Sequence, residues 1–374
     1  METKEFYSLI KEYQQAEVDT VFSENDLFAI ELEDKNPAYV SIVEDALALY
    51  LGEKGITGYL RLCFLDPDTT PPLEKQEVEN SQECFILTLN NAKENLEPED
   101  LAAIEESGID FAEGSYPMVR VKRQYRFPWF LTDEEQQSFA LALRGILFAK
   151  TYVGQFGKIS KTNSLTPWLE NLGLDDIEKR EYYPYFKQTK SEKELFTVEA
   201  RELSDDDYGV EYPQARLTNE EKLSLYKRMR AKAGKILYVA TFLLPEPFRD
   251  AKGGAPVFPV AYMLFDPQKH VMLDFYLVDD YKQQHTKFIS RLLDSFDQVG
   301  KPQAIHCFGD RTYPLLSHLG TQLNIMMVRG KQNDELDAII EEIISQEVNA
   351  EEEHAHEHTH EHVHAPGCEH HHHE

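Results

Sequence analysis

Apolar residues recur at helical spacing from the start of the chain: Phe6, Leu9, Ile10 and Tyr13 share one face of residues 1–15 and predict an amphipathic helix. In PAYVSIVEDALALYLGEKGITGYLRLCF, short β-rich runs alternate with an apolar helix-like stretch that ends at Gly52. The run ECFILTLNNAKENL reads as a strand and turn. In LEPEDLAAIEESGI, Pro98 and two acids sit in a first helical turn and Gly108 follows the last, the start and stop signals of a helix. YPMVRVKRQYRFPWFL reads as an extended run closed by Pro128. Thr132 with Glu135 then forms a capping-box pattern before a helix rich in Ala and Leu.

Periodicity weakens over residues 154–217, where EYYPYFKQTKSEKE and ELSDDDYGVEYPQ concentrate Tyr, Pro and charge, with one strand expected at LFTVEA. Thr218 with Glu221 predicts a second capped helix. Beyond it the pattern is the clearest in the chain. Three β-rich runs, at 236–244, 257–266 and 271–279, precede a helix whose Phe288, Ile289, Leu292, Leu293 and Phe296 lie on one face and which Gly300 ends. Strand and helix then alternate through QAIHCFGD, the leucines at 315, 316 and 319, NIMMVRG, and the face formed by Leu336, Ile339, Ile340, Ile343 and Ile344.

The predicted architecture is therefore mixed α/β in two domains. The first covers 1–153, a connecting region 154–217, the second 218–349, and a tail 350–374. In the second domain the order β-β-β-α-β-α-β-α is that of the ribonuclease-H-like fold. A chain of 374 residues agrees with two domains.

The whole chain to about residue 347 resembles a group of uncharacterised bacterial proteins with two linked domains of unknown function. The resemblance rests on DLFAIELEDKNPAYVSIVEDALALYLGEKGITGYL, LEPEDLAAIEESGI and RQYRFPWFLTDEE in the first half. In the second it rests on ILYVATFLLPEPF, FPVAYMLFDPQKHVMLDFYLV and KPQAIHCFGDRTYPLL. It implies a domain layout and no established reaction.

Charge narrows the partners. The formal net charge is -29, and the seven Glu after residue 350, with no Lys or Arg among them, leave -22 on the body. Such a surface repels phosphate backbones and anionic membranes, so nucleic acid and membrane are not expected partners, and an unidentified protein partner is. METKEFYSLIKEYQQ lacks a signal-peptide core and no stretch approaches ~18 uninterrupted apolar residues, which predicts a cytoplasmic location. Cys63, Cys84 and Cys307 sit in apolar runs without a CxxC pair and read as buried free thiols.

The chemistry of the tail stands out. HAHEHTHEHVHAPGCEHHHHE places His354, His356, His358, His360, His362 and His364 at alternate positions, then Cys368, then His370, His371, His372 and His373. Neutral imidazole ligates Zn, Ni, Co and Cu(II), and a thiolate adds affinity for zinc or Cu(I). With almost no apolar residues the segment cannot build a core, so a metal-binding, intrinsically disordered appendage is expected.

The body offers a second possibility, a two-metal nuclease or phosphoryl-transfer centre, which needs carboxylates on both sides of a phosphate. Asp310 occupies the end of the fourth strand, Asp334, Glu335 or Asp337 would supply a helical acid, and Asp274 on the third strand would be an imperfect substitute for a first-strand acid. ILYVATFLL carries none, with Thr241 near the expected place. A non-catalytic binding or adaptor role is therefore the expectation, with the metal-dependent enzyme as its alternative.

Two further features have simpler readings. Arg120, Lys122, Arg123 and Arg126 beside Tyr125, Phe127, Trp129 and Phe130 resemble a single-strand nucleic-acid groove. They also fit an ordinary strand with Val119 and Val121 inward and its charges paired to carboxylates, which the acidic whole favours. His306 and Cys307 are neighbours on a strand and point to opposite faces, so they form no nucleophile and base pair. His270, His285 and His318 complete the histidines of the body. There is no GxSxG, Walker loop, HExxH or GxGxxG, and Gly253-Gly254 reads as a turn.

Overall fold

The computed structural model describes residues 1–22, 26–43, 45–66, 70–155, 182–189, 195–202, 210–248, 254–330 and 333–344. The chain divides into two compact units, Met1–Tyr212 with Arg249–Val257, and Pro213–Phe248 with Phe258–Glu374. Each mixes helices with one sheet.

In the first unit the elements are α1 (Thr3–Gln15), β1 (Phe28–Glu31), β2 (Pro37–Val43), β3 (Ala46–Leu51), α2 (Gly52–Cys63), α3 (Pro72–Asn80) and β4 (Cys84–Asn91). After these come α4 (Pro98–Ser107), β5 (Tyr116–Lys122), α5 (Asp133–Gly154), β6 (Tyr182–Gln188) and β7 (Phe196–Glu202). The seven strands form one sheet in the order β5-β4-β3-β2-β1-β6-β7. On one face, Phe6 and Ile10 of α1, Ile104 of α4 and Phe139, Leu143 and Ile146 of α5 pack against Phe28, Ile30, Val40, Leu49, Phe85, Leu87 and Val121. Each fully buried side chain of this size contributes about 1.5–3 kcal/mol, which is why the helical stripes read from the sequence are the ones that meet the sheet. Caps formed as their residues predict. In α5, Glu135 N–H donates to Thr132 Oγ1 at 3.3 Å and Thr132 N–H to Glu135 Oε2 at 2.8 Å, while α4 ends at Gly108 in the left-handed conformation.

The structure corrects the sequence in two places here. The apolar stretch ending at Gly52 is strand β3, and the helix begins at Gly52. Asp45, at φ 60°, turns the chain so that Val43 faces Ala46, and β3 then pairs with β2 on one side and β4 on the other. Ladders on both flanks outweigh the helix propensity of Ala and Leu. Residues 154–217 are also more than a connection: β6 runs parallel to β1, with Ala29 opposite Tyr185, and β7 completes the edge. The first sheet therefore extends well past residue 153.

The second unit contains α6 (Glu220–Arg228), β8 (Ile236–Leu243), β9 (Val260–Asp266), β10 (Val271–Val278), a single helical turn at Tyr281–Gln284 and α7 (Thr286–Val299). It continues with β11 (Ala304–Phe308), α8 (Thr312–Leu323), β12 (Met326–Arg329) and α9, helical over 334–344. The strand order is β10-β9-β8-β11-β12. The first three are antiparallel neighbours, whereas β11 lies parallel to both β8 and β12. Every residue of β9 is buried, as expected of a strand paired on both sides and covered on both faces. Phe288 of α7 stacks on Tyr262, their ring centroids 5.2 Å apart. The cap of α6 is Asn219 and not Thr218: its side chain accepts from Lys222 N–H at 2.9 Å. Asx residues outrank Thr at this position, and one residue of register decides which oxygen meets the orphan N–H.

Candidate functional site

Asp274 enters β10 at a bulge, opposite Leu264. Arg291, reaching across from α7, donates to both of its carboxylate oxygens, with Nε 2.6 Å from Oδ2. The same guanidinium lies 4.5 Å from the centre of the Tyr276 ring. Asp274's hydrogen bonds push the already high pKa of Arg291 higher still. Next to the pair, the Tyr262 hydroxyl is fully buried, and desolvation, followed by the negative charge of Asp274, raises its pKa well above the usual phenol value. A metal ion at Asp274 would have to displace a fixed guanidinium.

The end of β11 is closed by backbone contact. Gly309 has φ 80°, and a Cβ there would stand 2.3 Å from the Thr241 carbonyl oxygen. Thr241, the residue nearest the missing first-strand acid, is committed to Thr312. Its N–H donates to Thr312 Oγ1 at 2.9 Å, and the two hydroxyls lie 2.7 Å apart. Asp310 follows Gly309 and is half-buried. Arg311 beside it is buried, its guanidinium 4.8 Å from the ring centre of Tyr281.

On α9 the three acids diverge. Asp334 is exposed, and Glu335 lies 2.6 Å from His270 Nδ1. Asp337 accepts from Asn333 N–H at 3.2 Å, and burial pushes its carboxyl above the ordinary range. Among the described residues no three or more His, Cys, Asp or Glu side chains are placed to hold one ion. The carboxylate set expected for a two-metal centre, Asp274, Asp310 and one of Asp334, Glu335 or Asp337, is therefore not assembled. The physical reason is that arginine and histidine from other elements reach two of these acids.

The basic and aromatic strip resolves in the same way. Arg120 makes a buried two-bond pair with Asp100 at 2.8 and 2.6 Å and lies 4.3 Å from the Phe130 ring centre. Arg123 pairs with Glu135, Lys122 Nζ donates to Asn80 Oδ1 at 3.3 Å, and Arg126 Nη1 to the Ala255 carbonyl at 3.3 Å. Val121 is buried in the core and Val119 packs against it. This is a structural strand whose cations serve the protein's own acceptors.

His306 stacks on Tyr238 with centroids 5.4 Å apart. Cys307 is buried on the opposite face, where desolvation pushes its thiol up to about 12. Cys84 is held at about 12 for the same reason, whereas Cys63, expected buried, is exposed because it ends α2. The metal ligands read from the tail, His354 to His364, Cys368 and His370 to His373, lie outside the described residues.

One cluster escaped the sequence. On the sheet face opposite α1 and α5, Tyr39, Tyr50, Tyr183 and Tyr185 gather with Ile56 and Cys84. Tyr185 donates to the buried Glu31 at 3.3 Å, Gln188 N–H donates to the same carboxylate at 3.2 Å, and Arg201 covers the Tyr185 ring. Tyr183 and Tyr185 alternate within YYPYF, a period-2 signal that becomes legible only once β6 is known to be a strand.

Residues 4–165 match a family described as a domain of unknown function, DUF7309, and residues 224–344 match a second, DUF6930. The chain is thus built from two domains of unknown function. Among curated proteins none matches it in sequence. Among the described residues no helix is long and apolar enough to cross a membrane.

Proposed function

We propose that this is a cytoplasmic, non-catalytic binding or adaptor protein whose histidine-rich tail binds divalent transition-metal ions, Zn or Ni foremost, with Co and Cu as further candidates. The observation that carries the metal reading is the tail itself: ten imidazoles and one thiol between His354 and His373. Residues two apart in an extended chain point the same way, so several imidazoles can converge on one ion at little cost beyond closing the loops between them.

The folded domains support the non-catalytic half of the proposal. Asp274 is neutralised by Arg291, Glu335 is taken by His270, and the first strand offers Thr241 where an acid would be needed. The strand order and directions of the second sheet favour a ribonuclease-H-like topology, one that keeps the scaffold and has lost the acids of a two-metal site.

Isothermal titration of zinc and nickel into the full chain and into a chain ending at Asn349 tests the metal reading. The full chain takes up metal and the shortened one does not; equal uptake by both defeats the proposal. Because the ligand is neutral imidazole, affinity falls as pH drops through ~6.5.

A further inference from the structure

Against the net charge of -29, one segment of the second unit runs the other way: from Lys222 to Lys235 there are six cations and no acid. Lys235 is buried against Asp266. The other five, Lys222, Lys227, Arg228, Arg230 and Lys232, are exposed on α6 and on the stretch that leads from it to β8. Among the described residues none of these five side chains is hydrogen-bonded or paired with a carboxylate. Arg120, Arg123, Arg201 and Arg291, by contrast, are each paired.

Folding does not account for the cluster. The helix dipole favours Lys227 and Arg228 in the last turn of α6, but Lys222 stands in the first turn, where it opposes the dipole, and Arg230 and Lys232 lie beyond the helix. The carbonyl end is already held from inside, by the buried Lys301, whose Nζ donates to the Tyr226 carbonyl at 3.0 Å. Lys232 N–H donates to the Lys301 carbonyl at 2.9 Å, so the stretch after α6 is pinned by its backbone while its charge faces outward. On α7 the nearby Asp297 accepts from the Tyr226 hydroxyl at 3.3 Å and leaves the cations unpaired. Leu225 is 58% exposed. Lys222 and Arg228 stand three residues to either side of it, so one helical stripe carries an apolar side chain between two cations.

These features select the occupant. A phosphate backbone would use the cations and gain nothing from Leu225, and the aromatic ring of the segment, Tyr226, is buried edge-on against Phe296 and is not offered to a base. A polyanion much longer than α6, roughly 14 Å, would also run on to an acidic body. We propose that the exposed face of α6, with Arg230 and Lys232, docks an acidic segment of a partner protein in which carboxylates flank an aliphatic residue. This gives the binding role proposed above a surface and a partner chemistry, and it rests on that reading.

Fluorescence anisotropy of the full chain with a labelled peptide of repeated Glu-Glu-Leu tests it. The peptide binds at ~50 mM salt and weakens by about tenfold at ~0.5 M, where screening acts over roughly 4 Å. Lys227→Glu, Arg228→Glu and Arg230→Glu together weaken it by about tenfold or more. Lys4→Glu, Lys54→Glu and Lys93→Glu, at exposed positions of the first unit, lower the net charge equally and leave binding unchanged. Leu225→Ser costs about threefold. Absence of binding by the parent, or equal weakening by the two triple variants, refutes the docking surface. Tighter binding of a labelled oligothymidylate than of the peptide refutes the protein partner. Cleavage of that oligothymidylate in Mg(II) would defeat the non-catalytic reading itself, so the two failures are distinguishable.

Discussion

Removing the ammonium of Lys235 should cost the second domain more than almost any other single change. Lys235 and Asp266 form an ion pair with 4% and 0% of their side chains exposed. Asp266 Oδ1 also accepts from Gln268 N–H at 3.1 Å. Replacing Lys235 by Met keeps the length of the side chain but strands a buried carboxylate, which costs about 3–5 kcal/mol. Replacing both, Lys235→Met with Asp266→Leu, removes the charge as well as its partner. What remains is the unpaired Gln268 N–H, so the double variant should lose only about 1 kcal/mol. Pulsed alkylation of the buried Cys307 across a urea series, read by mass spectrometry, reports opening of this unit alone. A double variant as unstable as Lys235→Met would refute the reasoning. Burial raises the Asp266 pKa, but the hydrogen bonds from Lys235 and Gln268 outweigh it and hold the carboxyl below its ordinary value. The stability this gives is complete above the unfolded pKa near ~3.9 and is lost as pH falls through the folded value. In Lys235→Met the stranded carboxyl is raised above its unfolded value, so acid relieves the variant as pH falls towards ~3.9, and below that the parent loses its own pairing; the gap between variant and parent therefore begins to close above pH ~3.9 and keeps closing below it.

Gly309→Ala combines a left-handed backbone with a Cβ 2.3 Å from the Thr241 carbonyl; a loss of roughly 3 kcal/mol is expected in the same labelling assay, and less than ~1 would refute the close approach. Asp100→Ala strands the buried Arg120 and removes half of the α4 capping box, for about 3–5 kcal/mol. Hydrogen exchange of β4 and β5 amides measures it, and unchanged protection would contradict it. Brief alkylation of the native protein at pH 8 should modify Cys63 and spare Cys84 and Cys307, whose thiols burial holds near 12. Labelling of Cys84 as fast as Cys63 would overturn that burial.

What is legible in the sequence is local. The capping box at Thr132 and the Pro98 to Gly108 helix are decided by groups within four residues of each other, and the leucine faces of α7 and α8 by period alone. Tail chemistry is local too, since it depends on ligand type and spacing and needs no fold. Pairings between distant elements were not legible. EYYPYFK reads as a charged connection because its partner, β1, lies about 150 residues earlier, and ALALYLG reads as helical because its ladders with β2 and β4 carry no local mark.

The candidate site divides along the same line. The sequence by itself determined which acids existed and that the first strand of the second sheet had none. Only the tertiary structure decided that Arg291 would occupy Asp274 and His270 would occupy Glu335. The reason is physical: a carboxylate's role is set by the charge that stands within about 3 Å of it, and which charge that is depends on how strands and helices pack, not on their order along the chain.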